Sequence, residues 1–307
     1  MLSSFCLITS HNCQRVTYVT YNDVFSDYAT YIKTLDFSFF WGNSIMETEA
    51  LAKIEQLAAK KLSIFQENRF RSLLRSIMAS MFIGFGVIVA FKTGGLFYIV
   101  ESPMAYPAAA LTFGMAIILI YYAGGDLFTG NTFYLSYASL RRKMTWANTL
   151  KMLLSSYIGN IIGAILFAIL IWLTQLFADV KAQTFLLEVA HKKIDATTIE
   201  IFFRAILCNW LVCLAFFIPY FMKTDGAKMF VMILLVFSFF IAGFEHSIAN
   251  MSVFAISIAA HGWGTISLGD ILHNLIPATL GNIMGGGVLM ATFYYYLNKP
   301  YFKESGE

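Results

Sequence analysis

The chain has 307 residues, of which 58% are hydrophobic and only 13% charged, against roughly a quarter charged in an average soluble domain. A water-soluble fold of this length could not hide so much apolar surface. The net charge of +3 is small, and no basic stripe interleaves with stacking aromatics, which excludes a nucleic-acid partner.

Residues 1–45 are polar and aromatic and lack the basic, apolar and small-residue order of a signal peptide. We expect either that Met46 is the native start or that 1–45 is a disordered extension. Cys6 and Cys13 fall here, Cys208 and Cys213 in a later apolar run, none in CxxC spacing. That predicts neither a disulfide framework nor a metal site, and no cofactor is expected. From Met46 to about Arg71 the pattern METEALAKIEQLAAKKLSIFQENRFR is that of an amphipathic helix leading into the membrane.

Uncharged runs then recur at 76–91, 102–125, 152–178, 205–222, 229–244, 247–269 and 271–298, and a bilayer takes about 20 residues to cross. They predict an all-α membrane protein with a transmembrane region 72–298 and six spans, near 72–92, 104–138, 148–178, 200–222, 227–260 and 275–298, followed by a short tail, 299–307. One side of the six collects Lys53, Lys60, Lys61, Arg69, Arg71, Arg75, Arg141, Arg142, Lys143, Lys151, Lys223, Lys228, Lys299 and Lys303. The other holds Lys92, Lys181, Lys192 and Lys193, with Arg204 at a helix mouth. The asymmetry predicts both termini in the cytoplasm of a multi-pass protein of the cell membrane.

The second and fifth spans are too long for one helix, and each has a polar interruption, GGDLFTGNT at 124–132 and GFEHSIAN at 243–250. Irregular backbone at membrane depth survives only where protein covers it or it lines a cavity, so two breaks predict a central pathway. Gly159-Asn160-Ile161-Ile162-Gly163 in the third span also resembles Gly281-Asn282-Ile283-Met284-Gly285 in the sixth. Three spans per half make this an inverted repeat, an arrangement that places sites near the midplane; GNxxG also suits close helix contact.

Of five histidines only His246 lies deep in a span, and the only acids there are Asp126 and Glu245, one at each break. Ionisable residues inside a membrane are functional candidates. For the two carboxylates we expect mainly helix capping, and for His246 a role as proton donor or relay. Glu245-His246-Ser247 makes a poor hydrolytic triad, because successive helical residues diverge by about 100°.

GDLFTGNT, LCNWLVCLA at 207–215, GFEHSIANM at 243–251 and NLIPATLGNIMGGG at 274–287 occur in an order that resembles the formate/nitrite transporter family over about residues 50–300. The resemblance implies an aquaporin-like protomer, a homopentamer, and a separate pore through each protomer. It makes His246 the central pore histidine, Thr129 its partner on the loop at the first break, and Asn209 and Asn282 polar residues near that centre. Ile117, Leu127 and Val212 correspond to the cytoplasmic-side apolar constriction, and Phe113 and Phe239 to the opposite one. Lys193 matches a vestibule lysine that attracts anions, with Glu245 also on the pathway. Ile117 stands where the formate branch usually has leucine, and both are apolar. LCNWLVCLA and the short connection from His261 to Asp270 resemble the nitrite-channel branch more than the formate branch. The expected partners are therefore nitrite and protons, with membrane lipids around the pentamer. Formate, another monocarboxylate or hydrosulfide is the alternative cargo. An aquaporin-type channel for neutral solutes is a further rival, and its two NPA repeats are absent.

Overall fold

The computed structural model describes residues 38–177, 180–262 and 264–302. Cys6, Cys13, most of the 1–45 extension, the Lys181 side chain and the tail beyond Phe302 lie outside the described residues. Contacts divide the chain between Asn43 and Ser44, and the membrane helices all belong to the unit that begins at Ser44.

Among the described residues every regular element is helical. Helix α1, Ser38–Glu67, ends where Asn68 turns extended and its side chain accepts the Arg71 N–H at 3.0 Å. That N-cap starts α2, Arg69–Tyr98, three residues before the predicted span. The second predicted span is α3, Ala105–Phe113, and α4, Met115–Ala123, then a break, then α5, Phe128–Leu140. Helix α6 is Trp146–Thr174, and the amphipathic α7 is Val180–Ile194. A capping box of Thr197 and Glu200 starts α8, Thr198–Phe217. Helix α9, Asp225–Ile241, a second break and α10, Ser247–His261, make up the fifth predicted span. A capping box of Ser267 and Asp270 opens α11, Leu268–Asn282, which continues as a π segment, Ile283–Met290, and as α12, Ala291–Asn298.

Five helical stretches among the described residues are by themselves long and apolar enough to cross a membrane: Arg69–Tyr98, Ala105–Ala123, Trp146–Thr174, Thr198–Phe221 and Leu268–Tyr301. The fifth predicted span is missing because its break leaves pieces of 17 and 15 residues, α9 and α10. Leu150, Leu154 and Leu173 on α6 and Phe230 on α9 are each more than 60% exposed, as side chains facing lipid are.

Inside, α5 is buried from Phe128 to Ser139 on every face. A helix enclosed on all sides makes its backbone bonds internally, and its start needs a partner from elsewhere. Around it α6 packs on α2, and α11 on α8, through the repeated glycines. A Cβ on Gly163 would fall inside contact distance of the Ile77 carbonyl, and one on Gly285 inside that of Ile206. The expectation that GNxxG brings helices together agrees with these contacts.

Candidate functional site

The two breaks are built alike. Helix α4 stops at Gly124, and α9 stops at Ala242 just before Gly243, both glycines in the left-handed region, with φ of 85° and 69°. Four residues after each glycine α5 and α10 begin, and each first helical N–H is taken by an asparagine from the GNxxG of its half. Phe128 N donates to Asn160 Oδ1 at 3.0 Å, and Ser247 N to Asn282 Oδ1 at 2.9 Å. The same amides turn outward in parallel. Asn160 Nδ2 donates to the carbonyls of Ser76 (2.6 Å) and Asp126 (3.3 Å), and Asn282 Nδ2 to those of Ala205 (2.8 Å) and Glu245 (3.0 Å). Each asparagine ties a half-helix start to the break before it and to the neighbouring long helix.

The two carboxylates therefore do something other than the capping expected of them. Asp126 pairs with Lys61 of α1 and, at 3.3 Å, with Arg75 of α2. Glu245 pairs with Lys193 of α7, whose Nζ lies 3.2 Å from both carboxylate oxygens. It also accepts from Asn250 Nδ2 and, at 3.3 Å, from Asn274 Nδ2. Both acids are at least 95% buried, where an unpaired charge would be costly. The lysines neutralise them, so caps had to come from elsewhere.

His246 precedes α10 and caps it: its Nδ1 accepts the Ala249 N–H at 3.0 Å. With Nδ1 an acceptor, the hydrogen-bond pattern puts the neutral ring's proton on Nε2, which lies 3.0 Å from Thr129 Oγ1 at the start of α5. One hydrogen bond thus joins the two breaks. The Phe239 ring stacks on the imidazole, with centroids 5.9 Å apart, and Phe113 meets Phe239 edge-on at 6.2 Å. Phe113, Phe239, His246, Lys193 and Glu245 all line one cavity of about 210 Å³, so these five predicted residues come together.

The other predicted residues are placed differently. Asn209 is fully buried and its Nδ2 is spent on Thr132 Oγ1 (2.9 Å) and on the carbonyls of Asn282 (2.6 Å) and Thr129 (3.3 Å). Asn282 is likewise consumed by capping. Ile117, Leu127 and Val212 are buried to within 4% in the same apolar core, and none of them lines the cavity. Among the described residues no group of three His, Cys, Asp or Glu is placed to hold a metal.

A model of the formate/nitrite transporter family matches residues 48–296. The chain belongs to that family. It is similar to a Bacillus subtilis protein called the uncharacterized transporter YwcJ, with 56% identity over 82% of this chain and 99% of that one. It is similar also to the Escherichia coli nitrite transporter NirC, at 34% over 82% of this chain and 92% of the other. Among solved structures, one described as an ion channel of the FNT family superposes with a TM-score of 0.75 at 31% identity, over 81% of this chain and 99% of that one. Another, described as a pentameric formate channel with formate bound, gives 0.65 at 26%, over 76% and 98%. As a member of the formate/nitrite transporter family the chain is an integral membrane channel or transporter and not an enzyme, which disposes of the hydrolase alternative.

Within this member of the family, sequence reasoning missed Lys61 and Arg75 beside Asp126, Asn160 as a cap, and Asn250 and Asn274 around Glu245. A signal existed for two of them. Lys60-Lys61 and Lys192-Lys193 each precede one half's break, and Asn131 and Asn250 each stand five residues after the break acid.

Proposed function

We propose that the chain is a channel for small monovalent weak-acid anions, with nitrite preferred, in which His246 holds the cargo at the centre of the pathway. The observation that carries this reading is the 3.0 Å bond between His246 Nε2 and Thr129 Oγ1, which bridges the two breaks beside the Phe239 ring. An anion entering the cavity meets the Lys193 ammonium and the partial positive N-terminal ends of α5 and α10. Crossing an apolar constriction as a bare ion carries an idealised Born cost on the order of 20 kcal/mol, several kcal/mol after relaxation. Taking up a proton at pH 7 costs an acid of pKa about 4 roughly 4 kcal/mol. The neutral acid is the cheaper passenger. His246 Nε2–H then donates to its unprotonated oxygen, while Nδ1 stays engaged with Ala249. A hydrogen-bonding imidazole fits this geometry better than a cationic one, because a second ring proton would displace the Ala249 N–H.

In this reading Phe113 and Phe239 form the constriction on the Lys193 side, and Ile117, Leu127 and Val212 the one toward the cytoplasm. Asn209 and Asn282 position the loops, and Glu245 holds Lys193. The matched capping by Asn160 and Asn282 and the matched lysine–carboxylate pairs support an inverted repeat, with α9 and α10 together counting as one interrupted span of six. The Lys and Arg asymmetry supports cytoplasmic termini, and the solved pentameric formate channel supports a homopentamer. Alignment along 92% of NirC supports nitrite. Formate is the second reading, favoured by the formate bound in that solved relative.

The test is nitrite and formate uptake into proteoliposomes, with and without an imposed proton gradient, for wild type and His246→Asn. Gradient-driven nitrite uptake exceeding formate, reduced at least tenfold in the variant, is expected. Wild-type uptake and pH dependence in His246→Asn would overturn the central role of His246, and preferred formate flux would transfer the assignment to the second reading.

A further inference from the structure

A second concavity, of about 630 Å³, opens beside the cavity of His246, between the end of α2, the 99–105 connection and α7. The two spaces share two lining residues, Tyr106 and Lys192, so these side chains stand between them. Lys192 is held there by two direct contacts. Its ammonium pairs with Glu188 Oε1 at 2.5 Å, one turn back on α7, and lies 5.6 Å from the centroid of the Tyr106 ring. Tyr98 donates its hydroxyl to the other carboxylate oxygen, Glu188 Oε2, from across the groove. Tyr106 is in turn wedged edge-on between Phe185 and Phe240, the latter in the wall of the inner cavity.

Resting on the anion-channel reading, we propose that Lys192 is an entry station at which an incoming monovalent anion displaces the Glu188 carboxylate before passing Tyr106 to Lys193. The Lys192 side chain is 57% exposed and that of Glu188 33%, and ion pairs so open to water are weak and exchangeable. The pair at Lys193 is of another kind, with side-chain exposures of 17% and 3%. Two adjacent lysines thus serve in series, the first loosely neutralised and facing the groove, the second firmly neutralised and facing His246. Glu188 remains ionised as a competitor, because the Lys192 ammonium and the Tyr98 hydroxyl hold its carboxyl below the usual carboxylate range. Tyr98 is a positioning residue, since it reaches the ammonium only through Glu188.

Initial nitrite and formate uptake into proteoliposomes, followed over a range of anion concentrations and at two ionic strengths, tests this with the full-length protein. For Lys192→Gln we expect uptake at low anion concentration to fall three- to tenfold, the saturated rate to stay within twofold, and the salt dependence to flatten. Lys192→Arg restores all three, and Glu188→Gln raises low-concentration uptake by removing the competitor. Unchanged low-concentration uptake in Lys192→Gln overturns the proposal, and so does an equal loss in Lys192→Gln and Glu188→Gln, the behaviour of a purely structural brace. Absence of anion flux in the wild type would instead be the failure of the channel reading.

Discussion

At the level of single residues, distance along the chain separates what the sequence showed from what it hid. His246 stood out because an ionisable group within an apolar run is conspicuous wherever it lies. The partners of Asp126 and Glu245 did not, because Lys61 is 65 and Lys193 52 positions away along the chain, and nothing local joins them. The capping role of Asn160 and Asn282 was hidden in the same way, since their acceptors and donors sit on other helices. Replacing Asn282 by leucine strands the Ser247 N–H and the Glu245 carbonyl in a buried site, at about 1–3 kcal/mol for each unmade bond. Asn160→Leu does the same to Phe128 and Asp126. We therefore expect both variants to lower the melting temperature of the detergent-solubilised protein by similar amounts. A large loss in one with none in the other would contradict the equivalence of the two breaks.

Among the helices, the interruptions at 124–127 and 242–246 were readable because glycine and charge intrude on apolar runs that exceed one span. The π segment at 283–290 was not, although Gly285-Gly286-Gly287 lies within it. Nor was the tight space beside Gly286, where a Cβ would crowd Thr132 Oγ1, Asn209 Nδ2 and Cys213 Sγ on other helices. The glycines of GNxxG carry a sharper expectation. Gly163→Leu must push α6 off the Ile77 carbonyl of α2, and overpacking of this kind costs about 1–3 kcal/mol or more. We expect that variant to be poorly folded by thermal melting and size-exclusion chromatography. Gly226→Ala, in the first turn of α9 with nothing within 4 Å of the new methyl group, should melt within a degree or two of wild type or slightly higher.

At the scale of the molecule, two similarly built breaks meet at one imidazole. Membrane insertion and class were legible in composition alone; the count of spans was harder, because a chain that breaks its helices at the centre no longer offers every crossing as one apolar stretch. The way the histidine is tied in has one more consequence, for the energy stored across the membrane. An imidazole passes protons along by taking one on one nitrogen and giving one up from the other, and here the second nitrogen is plugged into the backbone of α10. Hop-and-turn conduction through the ring is therefore blocked, and under the proposed anion-channel reading protons cross only in company with cargo. Proteoliposomes loaded with a pH-sensitive dye should show no proton leak above empty vesicles until nitrite or formate is added. The pore would then be an electrical insulator when idle, and a cell could keep many copies open without discharging its own battery.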